Sequence, residues 1–474
     1  MDLRPERLWR AARCATLRLA SPRYGSWLAR HERVAPGADL AGGPYIGIVT
    51  PAPEQAAASL RAQSYTRWQI GPGGEYTAFL GPGDTLSPHA LAWVAAAIAE
   101  KRPDAVYTDE DVIENGRARP IFKPDWSPEL LRHCDYTGGL LVVSSAALDG
   151  CGAGASLRRL AERRRRVEHV PRVLYHRSGP NRDVIEAVAR AASLSLPRGA
   201  GNPPCKAPAD APRSASEGAP ASLASIIICS CRPQLLRSCL EALAAGTHGN
   251  TPEIITVQHG FDEPLGDKRL PWTGAFDFAA MNNLAAREAG GGVLVFLNDD
   301  VTPLAPEWLE ALSAQAMRPG IGVAGALLEY PDGAIQHAGV VVGIAGVAAH
   351  PLRGMNGSPL WPWARMTREV SAVTGACLAI RRVVFEELGG FDTAFPVNYN
   401  DVDLCLRARR AGYEVILEAR ARLCHDESRT RSGRTGPDER ARFIERWRDV
   451  IERGDPYYSP NLSRRREVPL LSWD

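Results

Sequence analysis

Two stretches of this 474-residue chain carry the same landmarks in the same order, so any fold proposed for one must also suit the other. Each opens on a short apolar run, Tyr45-Ile-Gly-Ile-Val49 and Ser225-Ile-Ile-Ile-Cys229. Each then passes through Phe-Leu into an Asp turn and a helical pattern. In the first, Phe79-Leu80 precedes Asp84 and then Leu91, Val94 and Ala97; in the second, Phe296-Leu297 precedes Asp299-Asp300 and then Leu309, Leu312 and Ala316. Thr137-Gly138 ahead of the apolar run 140–143 parallels Thr374-Gly375 ahead of 377–380, and each stretch closes on a strand leading to a histidine, His176 or His425. Spacing tells them apart. From Ile48 to Asp84 is 36 residues and from Ile228 to Asp300 is 72, while Gly138 to His176 is 38 and Gly375 to His425 is 50. The first stretch has lost material in both halves, and the second is the better candidate for chemistry.

Hydrophobic residues make up 45% and charged residues 23%, enough to bury a sizeable core and too apolar for wholesale disorder. Lys plus Arg number 56 against 54 Asp plus Glu, a balance that gives no electrostatic case for nucleic acid as a partner. The 10 cysteines include no CxxC pair, which argues against a zinc site or a disulfide framework and fits a reducing cytoplasm. Met1 is followed by Asp2, Arg4, Glu6 and Arg7 rather than an apolar signal core, and the longest apolar run, 338–349, is too short to span a bilayer. The expected organisation is a helical segment over 1–43, a reduced domain over 44–180, a Pro/Gly/Ser/Ala-rich linker over 181–222, a larger domain over 223–460 and a tail over 461–474. In the first segment basic residues interleave with Leu8, Leu17 and Leu19, a pattern that suits either a capping element or peripheral contact with a membrane surface.

In the second stretch, strands are expected at 225–229, 253–257, 293–297, 322–328, 376–380 and 414–418. Helices are expected at 233–245, 279–288, 306–317, 382–388, 402–411 and 438–451. The alternation predicts an α/β domain with a mostly parallel sheet. Ligands of such sheets bind beyond the carboxyl ends of the strands, which singles out Ser230, Gln258, Asn298-Asp299-Asp300 and His425. Carboxylates at a strand end suit a hard divalent cation beside a diphosphate, and they equally suit a turn capped by Asx side chains. Asn400-Asp401-Val-Asp403 opens a helix, where Asp is common on electrostatic grounds alone. His425 can be a metal ligand or a packed, hydrogen-bonded histidine.

Taken in order, these residues resemble the family 2 glycosyltransferases of GT-A fold. The resemblance rests on Ser225-Ile-Ile-Ile-Cys229, Phe276-Asp-Phe-Ala-Ala-Met-Asn-Asn283, Phe296-Leu-Asn-Asp-Asp300, Thr374-Gly-Ala-Cys377, Gly389-Gly-Phe-Asp392, Asn400-Asp-Val-Asp403 and the strand to His425. Pro331-Asp-Gly-Ala-Ile-Gln-His-Ala-Gly339 and Asp455-Pro-Tyr-Tyr-Ser-Pro-Asn461 resemble the subgroup that builds bacterial surface polysaccharides. In the first stretch Thr108-Asp-Glu-Asp111, Phe122-Lys-Pro-Asp-Trp126 and Val170-Pro-Arg-Val-Leu-Tyr-His176 resemble the N-terminal domain of tandem transferases of that subgroup.

The resemblance implies a Rossmann-like mixed sheet preceded by a reduced copy of itself. It implies a nucleotide-sugar donor, a glycan or lipid-linked glycan acceptor, and a divalent cation, Mg2+ or Mn2+. Asn298-Asp299-Asp300 matches the DXD motif, with Asp300 as the metal-contacting carboxylate and His425 completing the shell. Asp401 matches the catalytic base, with Gly375 and Asp403 on the acceptor side. Asn283 matches a polar position near the donor, where Ser230, Gln258, Asn298 and Asp299 also fall. Two positions depart from the family: Gln258-His259 stands where an Asp usually holds the nucleobase, and Cys229-Ser230 where Pro-Thr usually follows the first strand. In the first stretch the DXD position reads Gly81-Pro-Gly-Asp84, and no acidic residue lies between Asp149 and Glu162 where a base should fall, as expected of a non-catalytic domain. An inactive tandem protein that binds glycan or scaffolds an assembly is the competing reading of the whole chain.

Overall fold

The computed structural model describes residues 23–114, 117–148, 166–179, 224–249, 251–426 and 437–473. The proposed linker, most of the N-terminal basic segment and the stretch without acidic residues fall outside them. The chain forms two compact units that alternate along the sequence. One gathers residues within 1–189, 335–371 and 444–474; the other lies within 190–334 and 372–443.

In the first unit, helix α1 (Tyr24–Glu32) precedes β1 (Ile46–Val49), α2 (Pro53–Arg61), β2 (Trp68–Ile70), β3 (Tyr76–Phe79) and β4 (Thr85–Leu86). Helix α3 (Ala90–Lys101), β5 (Ala105–Glu114), β6 (Arg117–Ile121), α4 (Pro128–His133), β7 (Leu141–Ser144) and β8 (Val167–Arg177) follow. The run Leu91, Val94, Ala95 and Ile98 is buried at helical spacing, so α3 packs an apolar stripe onto the sheet core of Ile46, Ile48, Ala78 and Val142.

The second unit begins with β9 (Ala224–Ser230), α5 (Pro233–Gly246), β10 (Glu253–His259), β11 (Lys268–Trp272), α6 (Phe278–Glu288), β12 (Val293–Asn298), β13 (Val301–Pro303), α7 (Trp308–Met317) and β14 (Ile321–Glu329). Four short strands, β15 (Ile335–His337), β16 (Val341–Val342), β17 (Ala348–Ala349) and β18 (Arg368–Glu369), fall in the segment assigned to the first unit. The chain then forms β19 (Cys377–Arg381), α8 (Arg382–Glu387), α9 (Asn400–Arg410), β20 (Glu414–His425), α10 (Pro437–Arg446) and α11 (Arg448–Arg453). Every residue of β9 and β14 is buried, as befits strands covered on both faces.

The second sheet runs β11-β10-β9-β12-β19-β14-β20-β13. Its pairings are parallel from β11 through to β12 and between β14 and β20, and antiparallel elsewhere, so the sheet is mixed. The first sheet runs β2-β1-β3-β7-β5-β8-β4 and follows the succession of parallel and antiparallel pairs seen from β10 to β13, without a counterpart of the β11 edge. Several elements differ from the sequence expectation, among them the short strands β13 and β15 to β18. Strand β11 was not anticipated, because Lys268-Arg-Leu-Pro-Trp272 is polar and carries Pro271, residues that suit only an edge. The helix expected over 438–451 breaks at Trp447 into α10 and α11. Among the described residues no helix is long and apolar enough to cross a membrane.

Candidate functional site

The site is built by register at one end of the second sheet. Strands β9, β10 and β12 are parallel neighbours, and pairing sets Gln258 opposite Ser230 and Asn298 opposite Cys229. Antiparallel pairing of Leu297 with Cys377 brings the residues ahead of β19 to the same end, where the Asn298 amide donates to the Ala376 carbonyl at 3.0 Å. One residue earlier, the Gly375 amide donates to Asp401 Oδ2 at 2.7 Å. Asp401 lies in the first turn of α9, and its Oδ1 accepts from the Val402 amide at 2.8 Å. These two amides and the helix N-terminus orient the carboxylate.

Strand β13 pairs antiparallel with the end of β20, Val301 opposite His425. This places His425 Nε2 3.1 Å from Asp300 Oδ1, with both side chains almost wholly buried. Ser230 donates its hydroxyl to Asp299 Oδ2 at 2.6 Å and accepts from the Arg232 amide at 3.0 Å. Burial pushes the Asp299 carboxyl up to about 6; the charge of Asp300 adds to the rise and the Ser230 hydrogen bond opposes it.

Register thus gathers Ser230, Asn298, Asp299, Asp300, Gly375, Asp401 and His425 at one sheet end, while three other candidates spend their side chains on the fold. Gln258 is buried; it donates to the Glu263 carbonyl at 2.8 Å and Thr256 Oγ1 at 3.2 Å, and accepts from the Glu263 amide at 3.0 Å. It closes the turn after β10. Asn283 donates to the Phe391 carbonyl at 2.7 Å and accepts from the Phe391 amide at 2.9 Å, tying α6 to the loop after α8. Asp403, fully buried, accepts from Arg407 Nε at 2.7 Å, and Arg407 itself reaches the Leu388 and Gly390 carbonyls.

Sequence reasoning passed over Glu439, which grips the loop ahead of Asp401: its Oε1 accepts from the Val397 and Asn398 amides, both at 2.9 Å. The available signal was local, an acidic residue in the first turn of a helix that begins at Pro437.

The donor set of Asp300 and His425 fits a divalent cation. A carboxylate and an imidazole converge at 3.1 Å, and among the described residues neither buried ring nitrogen of His425 has a well-formed hydrogen bond. Among the described residues no group of three or more His, Cys, Asp or Glu side chains could hold an ion, so phosphate oxygens and water would have to complete the shell. The first sheet repeats the register, with Thr85 opposite His176 and Asp84 one residue away. There the side chains turn to other partners. His176 lies between Asp111 at 2.8 Å and Glu32 at 2.9 Å, and Asp84 accepts from Tyr175 at 2.6 Å and the Ser178 amide at 2.8 Å.

The second sheet gathers carboxylates and an imidazole at its strand ends, the arrangement that the resemblance to GT-A glycosyltransferases implies. No family model matches the chain. It is 36% identical over 437 residues to the O-antigen biosynthesis protein RfbC of Myxococcus xanthus, covering 82% of this chain and 34% of that protein. It is 36% identical over 467 residues to the uncharacterized protein y4gI of Sinorhizobium fredii, covering 84% of this chain and 50% of that one. The chain therefore spans half or less of the length of these relatives. Over 149 residues it is 29% identical to the N-acetylglucosaminyl-diphospho-decaprenol L-rhamnosyltransferase of Mycobacterium tuberculosis, covering 28% of this chain and 47% of that one. Among solved structures, GalNAc-T7 with UDP, GalNAc and Mn2+ aligns with 49% of this chain and 49% of its own at 15% identity and a TM-score of 0.40, a partial likeness only. The chain is thus similar to proteins named for O-antigen biosynthesis and for L-rhamnosyl transfer.

Proposed function

We propose that this chain moves a sugar, with inversion, from a nucleotide-sugar donor onto a surface glycan or lipid-linked acceptor, using the strand-end site of the second unit. The observation that carries the reading is the pair of hydrogen bonds from the Asn298 amide to the Ala376 carbonyl and from the Gly375 amide to the Asp401 carboxylate, which joins the Asp-rich turn and the helical Asp401 at one sheet end. Asp401 would accept the acceptor hydroxyl's proton as that oxygen attacks the sugar carbon, and the nucleoside diphosphate departs with the bonding pair. Asp300 and His425 would hold Mg2+ or Mn2+, whose charge offsets that of the leaving diphosphate. Ser230 and Asp299 form the donor side. The first unit is read as non-catalytic, supported by the capture of His176 by Glu32 and Asp111. A lipid-linked acceptor is favoured by the rhamnosyltransferase relative, whose name specifies one. Membrane attachment would then be peripheral.

One specific observation favours the competing scaffold reading: Gln258, at the position where the family holds the nucleobase, turns its amide inward. A donor panel separates the two. Release of nucleoside diphosphate from UDP-glucose, UDP-N-acetylglucosamine, GDP-mannose and dTDP-L-rhamnose with Mn2+ is expected for at least one donor. Asp401→Asn should lower that rate by at least about 10²-fold while melting like wild type. No release from any donor would favour the scaffold.

A further inference from the structure

We propose that Glu439 is a positioning residue for Asp401, and that α10 exists to fix the loop from which α9 springs. This rests on the reading of Asp401 as the base. The loop 396–399 enters α9 through Tyr399, whose backbone is left-handed at φ 64, ψ −2, a conformation a bulky side chain holds only where its surroundings impose it. Those surroundings come from one face of α10. Glu439 Oε1 accepts from the Val397 and Asn398 amides, and its Oε2 accepts from Asn398 Nδ2 at 2.7 Å. One helical turn on, Phe443 stacks on the Tyr399 ring at 4.7 Å and 23°, and meets Phe395 edge-on at 6.0 Å.

The loop is also held by the first turns of α6 and α9. The Ala279 amide donates to the Pro396 carbonyl at 3.3 Å, and Asn400 Nδ2 donates to the Phe395 carbonyl at 3.1 Å. The first bond of α9 then runs from the Asp403 amide to the Tyr399 carbonyl at 2.8 Å. Tyr399 therefore sets where the helix begins, and the start of the helix sets where the Asp401 carboxylate stands. The Gly375 amide fixes how that carboxylate turns; Glu439 fixes where it starts. A buried carboxylate with three N–H donors from two adjacent residues is a strong, directional grip on one short loop.

The test uses the full chain, the four-donor panel with Mn2+, and three variants. Glu439→Gln leaves one oxygen for the Val397 and Asn398 amides but sets an amide NH2 against Asn398 Nδ2. Adding Asn398→Asp supplies the missing acceptor, so the double variant should restore the contact. The expected result is a kcat roughly ten- to a hundredfold lower in Glu439→Gln, with donor KM and Tm unchanged, and recovery to within about threefold in the double variant. Wild-type kcat in Glu439→Gln, or a loss that tracks Tm and is not rescued, overturns the positioning role. Full kcat in Asp401→Asn, or no release by wild type from any donor, overturns the reading beneath it instead.

Discussion

At the scale of single residues, the Asp300–His425 pair and its counterpart in the first unit make opposite use of one register. Histidine faces a short strand in both sheets, but His176 is ringed by carboxylates. Burial alone would push the His176 imidazole down; the hydrogen bonds of Asp111 and Glu32 outweigh it and hold the ring up to about 9. The folded value lies above the unfolded one, about 6.5. The stabilisation, on the order of 3 kcal/mol, is therefore full below about pH 6.5 and lost as pH rises through about 9. Urea unfolding at pH 7 and pH 10 should show that loss in wild type, and His176→Gln should flatten the difference. In the second unit, Asp300→Ala should remove the thermal shift given by Mn2+ together with donor. A Mn2+ shift that survives the substitution would move the ion elsewhere.

At the scale of elements, what could be read in the sequence was whatever depended on the side chain at a position, and what could not be read depended on which main chain lay opposite. Strands β9, β12 and β14 announced themselves as apolar runs, and the Asp turn after β12 followed from them. The apolar run 414–418 and the strand expected to lead to His425 form one strand, β20, which a register shift beside β14 carries past Glu418. Gln258 was singled out by its place at a strand end, and Asn283 by the resemblance. Apart from Thr256 Oγ1, their partners are backbone, the amides and carbonyls of Glu263 and Phe391, which carry no sequence signal. Gly390 belongs to the same clamp: at φ 74 it favours glycine, and a Cβ there would sit 2.6 Å from Asn283 Oδ1. Gly390→Ala should cost about 1–3 kcal/mol in urea unfolding. In an Asn283→Ala background the steric part disappears, and the cycle should give a non-additive coupling of about 0.5 kcal/mol or more. Strict additivity would mean that the two do not share one contact.

At the scale of the whole molecule, the chain leaves the second unit twice, and both excursions supply buried partners to the first. Glu369 accepts from the Ser127 hydroxyl and from the Glu129 amide at 2.9 Å, closing the start of α4, and burial pushes its carboxyl up to about 7. Trp363 Nε1 donates to the Phe122 carbonyl at 3.0 Å. From the C-terminal segment, Asn461 Nδ2 donates to Asp109 Oδ2 at 2.8 Å, the Pro456 carbonyl accepts from the Asp125 amide at 2.8 Å, and the Ser472 carbonyl accepts from Trp27 Nε1. Asp109 is wholly inaccessible to solvent, so losing its Asn461 partner leaves one carboxylate oxygen short of a donor. Each buried polar group stripped of its partner costs about 1–3 kcal/mol, and the four buried ones among these, on Phe122, Ser127, Glu129 and Asp109, together rival the 5–15 kcal/mol that holds a typical domain together. A fragment spanning residues 1–180 is therefore expected to lack a cooperative thermal transition and to bind ANS. A single Asn461→Ala change in the full chain should cost about 1–3 kcal/mol and leave the fold intact. If the 1–180 fragment melts sharply near the temperature of the full chain, the borrowed segments are ornaments on a self-sufficient domain, and the two halves of the sequence fold as independently as their contiguous landmarks suggest.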